Sequence, residues 1–206
     1  MAKIKLTKTE LKAQTDALKR FERFLPMLQL KKQQLQAEIA LITARVEEVA
    51  AQEEAERRQL SAWVSLFSET SHDLSSLVTL DRVVTDTSNI AGISIPVFKS
   101  VQTTAASLDL FATPPWLDAA IAVITHVMSL KAERTVLERQ RELVTDELNM
   151  TSQRVNLFEK VKIPECRENI RIIKIALGDM QTASVSRGRI AKGRGRKETP
   201  HEEDAA

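Results

Sequence analysis

The sequence contains few of the residues that form turns or crosslinks in compact domains. Among 206 residues there are only 5 glycines, 6 prolines and no tyrosine, and aromatic residues make up 4%. Because Cys166 is the only cysteine, an internal disulfide is excluded. There is no run of about 18 apolar residues, and no apolar stretch follows the basic N-terminus, so we expect neither a membrane-spanning helix nor a signal peptide. Any membrane role is therefore expected to depend on partners.

The abundant residues indicate long helices. Charged residues make up 28%, and Ala, Leu, Glu, Lys, Arg and Gln dominate, a composition typical of coiled coils. Thr7 and Glu10 form a capping-box pattern, so we predict a first long helix within residues 1–80, beginning near residue 8. Its apolar rows are expected to shift phase at Glu53 and Glu56. The rows repeat at seven-residue spacing, as in a coiled-coil seam: Leu11, Leu18, Leu25, Ile39 and Val46, interrupted by Lys32, and Phe21, Leu28, Leu35, Ile42 and Val49.

A different pattern occupies residues 81–113. Residues 86–92 are rich in turn-forming types. Apolar residues alternate with others over residues 93–97, which is typical of a short strand, and a proline within it restricts that strand to a sheet edge. Residues 101–111 could supply a second strand. We predict a small β-hairpin or irregular lobe at the turn between two helices, containing Gly92, Ile93, Ile95, Pro96 and Val97.

A second long helix is predicted over residues 114–183. Thr113 is a suitable N-cap, and the two prolines that follow it fit a first helical turn. Gly178 is a predicted weak point or C-cap. Residues 184–206 are basic and then acidic, and we expect them to form a flexible tail. Apolar residues again repeat at seven: Val123, Leu130, Leu137, Val144 and Phe158, with Thr151 in the same row, and then, in a new phase, Ile163, Ile170 and Leu177.

Two amphipathic helices of similar length bury their apolar rows most simply against each other. We therefore predict an all-α fold, a long antiparallel two-helix coiled-coil hairpin with the small lobe at its turn. In that pairing Pro26 and Pro164 lie at similar heights, and each removes a helical hydrogen bond. We predict that the two prolines produce a shared bend.

Charge is distributed unevenly along the chain. Residues 1–35 carry nine basic and three acidic side chains, whereas residues 36–80 carry three basic and eight acidic ones. Because an antiparallel hairpin brings both termini to one end, we expect a basic end there. Such an end suits insertion into negatively charged surroundings.

The signatures of catalysis that we sought are missing from the sequence. There is no phosphate-binding P-loop and no dinucleotide-binding glycine pattern. His72, His126 and His201 are far apart, and a single cysteine cannot form a zinc site. We expect no catalytic residue, no cofactor and no metal. The basic residues of 187–197 could bind nucleic-acid phosphates, although no aromatic residue lies among them for base stacking.

Three segments resemble the D subunit of V-type ATP synthases: Lys5–Lys12, Leu25–Leu35 and, above all, Arg154–Arg171. Residues 92–97 are similar to the family's middle segment. The resemblance covers nearly the whole chain up to about Lys192. It does not extend to the Gly- and Arg-rich tail with its acidic end.

The resemblance implies a central-stalk rotor subunit that transmits torque and binds no nucleotide itself. Such a protein enters a hexamer of A and B subunits, binds the F subunit, and rests on the subunit that caps the membrane rotor ring. The resemblance also implies a peripheral subunit on the cytoplasmic face of the membrane, in a complex that couples ATP synthesis or hydrolysis to proton or sodium transport. Leu25, Pro26, Phe158 and Pro164 are expected to shape the shaft. The expected contacts with A and B are Lys3, Lys5, Arg154, Lys160, Lys162, Arg167 and Arg171.

Two other functions stay open alongside the rotor. One is a coiled-coil tether or adaptor that does not rotate, and the other is a nucleic-acid-binding coiled coil that uses the basic tail. A rotor should co-purify with a large ATPase and a small F-like partner, and an excess of DNA should not displace it.

Overall fold

The computed structural model describes residues 4–61, 78–105 and 116–195. Most of them are helical: helix α1 is Lys8–Ser61, α2 is Trp116–Leu157 and α3 is Ile163–Gly195, with a π-helical turn between α2 and α3. Two strands, β1 (Val78–Ile90) and β2 (Ile93–Ala105), form an antiparallel sheet. The described residues are therefore mainly helical with a small antiparallel sheet, which confirms the prediction of long helices with a small β-hairpin.

The chain divides into two units. Residues Met1–Gln29 and Gln153–Ala206 form one, here the terminal unit, and Leu30–Ser152 form the other, here the central unit. Each unit contains a segment of α1 and a segment of the later helices.

Helix α1 begins at the predicted cap. The Glu10 backbone N–H donates to the Thr7 hydroxyl at 3.2 Å. The second half of the capping box is replaced, because the Glu10 carboxylate accepts from the Gln14 amide at 2.9 Å instead. The prediction that this helix continues to Leu80 is wrong, since Val78 begins strand β1. The β-branched residues of 78–87 favour a strand, and residues 62–77 lie outside the described part.

The predicted apolar rows of α1 are buried in the central unit. Leu35 and Val49 are fully buried, and Ile42 and Val46 are nearly so. The predicted phase shift at Glu53 is wrong. Glu53 takes the next position in the row of Ile39 and Val46 and is itself only 2% exposed. The row therefore continues with a carboxylate in place of an apolar side chain.

The β-hairpin confirms the predicted lobe but moves its first strand and its turn. Residues 93–97 form a strand as predicted, but 101–105 continue that same strand, and the partner strand is 78–90. The turn is confined to Ala91 and Gly92, with φ of 50° and 86°. Positive φ at both central residues matches the right-handed twist of the flanking strands. The Asn89 side chain accepts the Gly92 N–H at 2.9 Å, which completes the turn.

The backbone conformation of this turn predicts how substitutions at Ala91 and Gly92 change stability. Ala91 adopts a left-handed conformation that disfavours a Cβ atom, whereas asparagine tolerates it. Ala91→Asn should raise the free energy of unfolding by about 0.5 to 1 kcal/mol, measured by urea denaturation. Gly92→Ala is the matched control and should lower it by about 1 kcal/mol. A loss of stability in both variants would contradict this account of the turn.

The hairpin packs along helix α2 in the central unit. Near its turn, Ile95 is buried in one cluster with Leu35, Ile42, Val46 and Val144. Near its base, Val78 and Leu117 form the centre of a second cluster. The ten steps along β1 from Val78 to Ser88, the partner of Ile95, span about 33 Å, and the 27 steps from Leu117 to Val144 span about 40 Å. The two stretches are therefore similar in length.

A buried amide fixes the hairpin at one point along α2. Gln140 is 6% exposed, and its side-chain N–H donates to the Pro96 carbonyl at 2.5 Å. Pro96 cannot donate to a strand neighbour, but its carbonyl remains a good acceptor. The bond gives the buried glutamine a partner that no apolar neighbour could supply.

The π-helical turn, Phe158–Lys162, explains the new phase that the sequence shows after Phe158. The Ile163 N–H donates to the Phe158 carbonyl, five residues earlier, instead of the usual four. The turn therefore contains one extra residue. Rows that pass through Val155 and Phe158 resume at Ile163 and Cys166, each one residue later than a regular heptad would place them. Both Ile163 and Cys166 are buried.

Helix α3 extends further than predicted. It passes through Gly178, the expected weak point, and continues to Gly195, so the first part of the predicted flexible tail is helical. Every residue from 178 to 194 is exposed. Adding residues to an existing helix is much easier than starting one, so the packed part of α3 can support this extension. Residues 196–206 lie outside the described part.

Candidate interaction site

Opposite charges separate between the two units. The terminal unit contains 19 basic and 11 acidic residues, a net charge of +8, and the central unit contains 11 basic and 17 acidic residues, a net charge of −6. Such a surplus attracts a partner of opposite charge over roughly the Debye length, about 8 Å at physiological salt. The terminal unit is therefore the candidate site for an acidic partner.

Helices α1 and α3 pair in the terminal unit through aromatic and polar contacts. The rings of Phe21 and Phe158 lie 5.0 Å apart at 49°, a tilted geometry that aromatic pairs favour. Arg167 donates to Glu22 at 2.8 Å. The Asn169 amide approaches Gln14 at 3.5 Å. Phe21 and Glu22 follow Gln14 along α1, whereas their partners Phe158 and Arg167 precede Asn169, so the two segments run antiparallel in this unit.

The structure divides the seven predicted partner contacts into three groups. Lys162, Arg167 and Arg171 form ion pairs within the chain, with Glu165, Glu22 and Glu168 respectively. Lys3 lies outside the described residues. Lys5, Arg154 and Lys160 are exposed, and none of them pairs with an acidic side chain in the described part of the chain. These three remain the best candidates of the predicted set.

Sequence reasoning identified a second set of basic residues but did not predict that they lie on a helix. Arg187, Arg189, Lys192 and Arg194 were assigned to a flexible tail, but they project from an exposed helix. Only Asp179 adds negative charge over residues 178–194. The sequence was compatible with a helix here, because the three glycines of residues 178–194 are isolated. Isolated glycines lower helix propensity without ending a helix that has already formed. This group is called the α3 basic set below.

The shared level of Pro26 and Pro164 stays a prediction, because two contacts of the terminal unit bear on it differently. Glu22 precedes Pro26 by about one turn, and its partner Arg167 follows Pro164 by about one turn. In an antiparallel pair both steps lead in the same direction, which favours one level. Phe21 precedes Pro26 and its partner Phe158 precedes Pro164, and these two steps lead in opposite directions. The π-helical turn directly precedes Pro164 and ends at Lys162. Since a proline ring clashes with the carbonyl four residues before it, here that of Lys160, the wider turn gives the ring room.

Ion pairs connect α1 and α2 in the central unit. Lys31 pairs with Glu147 at 2.7 Å, Arg45 with Glu133 at 3.0 Å, and Arg134 with Glu53 at 3.1 Å. Their order along the chain makes these segments antiparallel as well. Hydrogen bonds to Glu138 and then to Glu53 raise the pKa of Arg134. The Lys31–Glu147 and Arg45–Glu133 pairs are partly exposed, and such pairs contribute about 0 to 1 kcal/mol each. Glu53 differs because its side chain is buried.

The described residues contain no group of three or more His, Cys, Asp and Glu side chains that could hold a metal ion. His126 lies 3.9 Å from Glu56, while His72 and His201 are outside the described ranges. Burial raises the pKa of the Cys166 thiol, so the thiol stays protonated at neutral pH. Across residues 4–61, 78–105 and 116–195, no helix is long and apolar enough to cross a membrane.

Comparison with known proteins gives a consistent result. The family model described as the ATP synthase D subunit matches residues 10–193. The D subunit of a V-type ATP synthase from Borreliella burgdorferi is 46% identical, over 93% of this chain and 95% of its own length. Proteins of the same name from Chlamydia muridarum and Chlamydia abortus are 34% and 31% identical, each over 93% of this chain.

These similarities place the chain among the subunits of V-type ATP synthases. Within that class, it belongs to the D-subunit family of ATP synthases. The match with the family model begins at Glu10 and ends at Gly193, so it includes most of the α3 basic set.

Proposed function

We propose that this chain is the central-stalk rotor shaft of a rotary V-type ATPase or ATP synthase. In this role it transmits torque between a catalytic hexamer of A and B subunits and an ion-translocating ring in the membrane. It carries out no catalysis and binds no nucleotide itself. The observation that carries the proposal is the antiparallel pairing of long helices within each unit of a chain of the D-subunit family, since a rotating element has to be stiff along its length.

We propose further that the paired helices form an antiparallel coiled-coil hairpin. The support comes from the seven-residue rows that are buried in the central unit, and from the antiparallel order of ion pairs there and of contacts in the terminal unit. A shared bend at Pro26 and Pro164 is part of this proposal, and its support is the Glu22–Arg167 pair, which lies about one turn from each proline. Such a bend would move the end of the shaft off the rotation axis.

The terminal unit is the proposed contact with the A and B subunits. Its net charge of +8 favours an acidic lining of the hexamer. Lys5, Arg154, Lys160 and the α3 basic set carry positive charges that no acidic side chain of the described chain neutralises. The F subunit and the subunit that caps the rotor ring are the other proposed partners. These partners would hold the chain at the cytoplasmic face of the membrane.

Reconstitution tests the proposal directly. The chain is mixed with A, B and F subunits, a bead is attached to it, and ATP is added. The expected result is stepwise, unidirectional rotation that stops when ATP is removed. Complexes assembled without this chain serve as the control and should show no bead rotation.

The two remaining functions predict different results. A static tether would join the A and B subunits, but an attached bead would not turn. A nucleic-acid-binding protein would bind duplex DNA with a steep dependence on salt and would not bind the A and B subunits. Either result would refute the rotor.

A further inference from the structure

One carboxylate lies inside the otherwise apolar row of α1 in the central unit. Glu53 occupies the position that follows Ile39 and Val46 at seven-residue spacing, and it is 2% exposed. A buried carboxylate is tolerated only where charged or hydrogen-bonding partners replace water. The residues around Glu53 must therefore supply charged or hydrogen-bonding partners.

Two arginines supply them, one to each carboxylate oxygen. Arg57, one turn later on α1, approaches Oε1 at 2.7 Å, and Arg134 of α2 approaches Oε2 at 3.1 Å. Arg134 is held on its other side by Glu138, whose Oε1 lies 3.0 Å from its Nε. Both arginine side chains are about half exposed, so their charged groups remain partly hydrated while they cover the carboxylate.

The seam around this group defines its alignment only weakly. Leu35, Ile42, Val46 and Val49 are chemically similar, so a shift of one helix by a whole heptad would again place apolar side chains against apolar side chains. The same shift would separate Glu53 from Arg134 and leave a buried charge without its partner across the seam. A buried polar residue in a seam can specify alignment in this way.

The other ion pairs between these helices are less suited to that task. In the Lys31–Glu147 pair the two side chains are 32% and 17% exposed, and in the Arg45–Glu133 pair 47% and 22%, compared with 3% for the Glu53 side chain. Water and salt can solvate their charges after a shift. They would therefore oppose slippage much less than Glu53 does.

We propose that Glu53, Arg57 and Arg134 form a register lock, which prevents α1 and α2 of the central unit from sliding lengthwise past each other. Its role in torque transmission rests on the proposed function, because a shaft whose helices slip would lose part of each rotation step. The lock itself is a property of the isolated chain and can be tested without the rest of the complex.

The test measures the alignment of the two helices in solution. Spin labels are placed on the full chain at the exposed positions Gln36 and Lys131, with Cys166→Ala to remove the native thiol. These sites are offset along the helices, so slippage changes the distance between the labels. The native chain should give a single narrow distance distribution.

The decisive variant is Glu53→Leu with Arg134→Leu. Leucine suits a seam position, so the variant should fold, as circular dichroism would show. We expect a second population of distances, displaced by one heptad along the helix axis, about 10 Å. The matched control is Arg45→Leu with Glu133→Leu, which removes a more exposed pair at a neighbouring level and should keep the single distribution.

A folded Glu53→Leu, Arg134→Leu variant with the native single distribution would overturn the proposal, and the packing of the hairpin against α1 would then be what sets the alignment. A variant that fails to fold is resolved by Glu53→Gln, which keeps the shape of the side chain. That variant should broaden the distances, and a native distribution would again contradict the lock. A reconstituted complex that does not rotate would refute the rotor but leave these distance results standing.

Discussion

Glutamine substitutions at Arg187, Arg189, Lys192 and Arg194 are expected to slow the association of the chain with the A and B subunits by about tenfold or more at low salt. Clustered surface charges act mainly on the association rate, which they raise by about 10- to 1000-fold for a partner of opposite charge. All four residues are exposed, and the Arg187 side chain bonds only to the Ala183 carbonyl of its own helix within the described chain. The fold should therefore be unchanged, as thermal unfolding monitored by circular dichroism would show.

The matched control places the same loss of charge in the central unit. Arg82, Lys99, Lys131 and Arg139 are exposed and basic, and their replacement with glutamine should alter the association rate much less. Surface plasmon resonance at several salt concentrations measures both variants. If the two sets slow association equally, net charge alone matters, and the α3 basic set is not a specific contact.

Deletion of Lys160 combined with Pro164→Ala is expected to leave the terminal unit folded. The deletion removes the extra residue of the π-helical turn, so Ile163 and Cys166 would follow Val155 and Phe158 at regular seven-residue spacing. The proline must be replaced because an uninterrupted α-helix would bring its ring against the preceding turn, at a cost of about 3 kcal/mol. The double change should therefore lower the free energy of unfolding by less than about 1 kcal/mol, within the range of ordinary surface changes.

The control is a deletion where the helix has no such irregularity. Arg20 is exposed in α1, and its removal turns the residues on one side of it by about 100° relative to the seam. Apolar residues such as Leu11 and Leu18 would leave their row, at about 1.5 to 3 kcal/mol for each side chain that is fully exposed. Chemical denaturation compares the two deletions. Equal damage from both would show that the π-helical turn does not serve as the adjustment between heptad phases.

Much of this protein could be predicted from the sequence because its helices are encoded locally. Seven-residue repeats identified the buried row of Leu35, Ile42 and Val49, and Thr7 identified the start of α1. The change of phase near Phe158 was also visible in the repeats. Its cause was not, since a π-helical turn is a choice of hydrogen-bond partner that no single residue type specifies.

The ends of helices and strands that depend on tertiary packing could not be predicted from the sequence in the same way. Leu80 fits a helical row, yet it lies in β1 because the hairpin packs along α2 and buries Val78 and Ile95. Gly178 has the features of a helix end, yet α3 continues through it. Glu53 was predicted to mark a shift of the apolar rows, and only the meeting of Arg57 and Arg134 around it explains its burial in the row.

The sequence by itself determined the long helices, their apolar rows, the hairpin strand at residues 93–97 and the charge bias toward the termini, because each depends on neighbours within one or two turns. Tertiary structure alone decided which basic residues are paired within the chain, where the hairpin lies, and how a carboxylate can occupy the seam. Those outcomes depend on residues distant in the chain, such as Glu53 and Arg134, whose contact exists only after the helices have aligned.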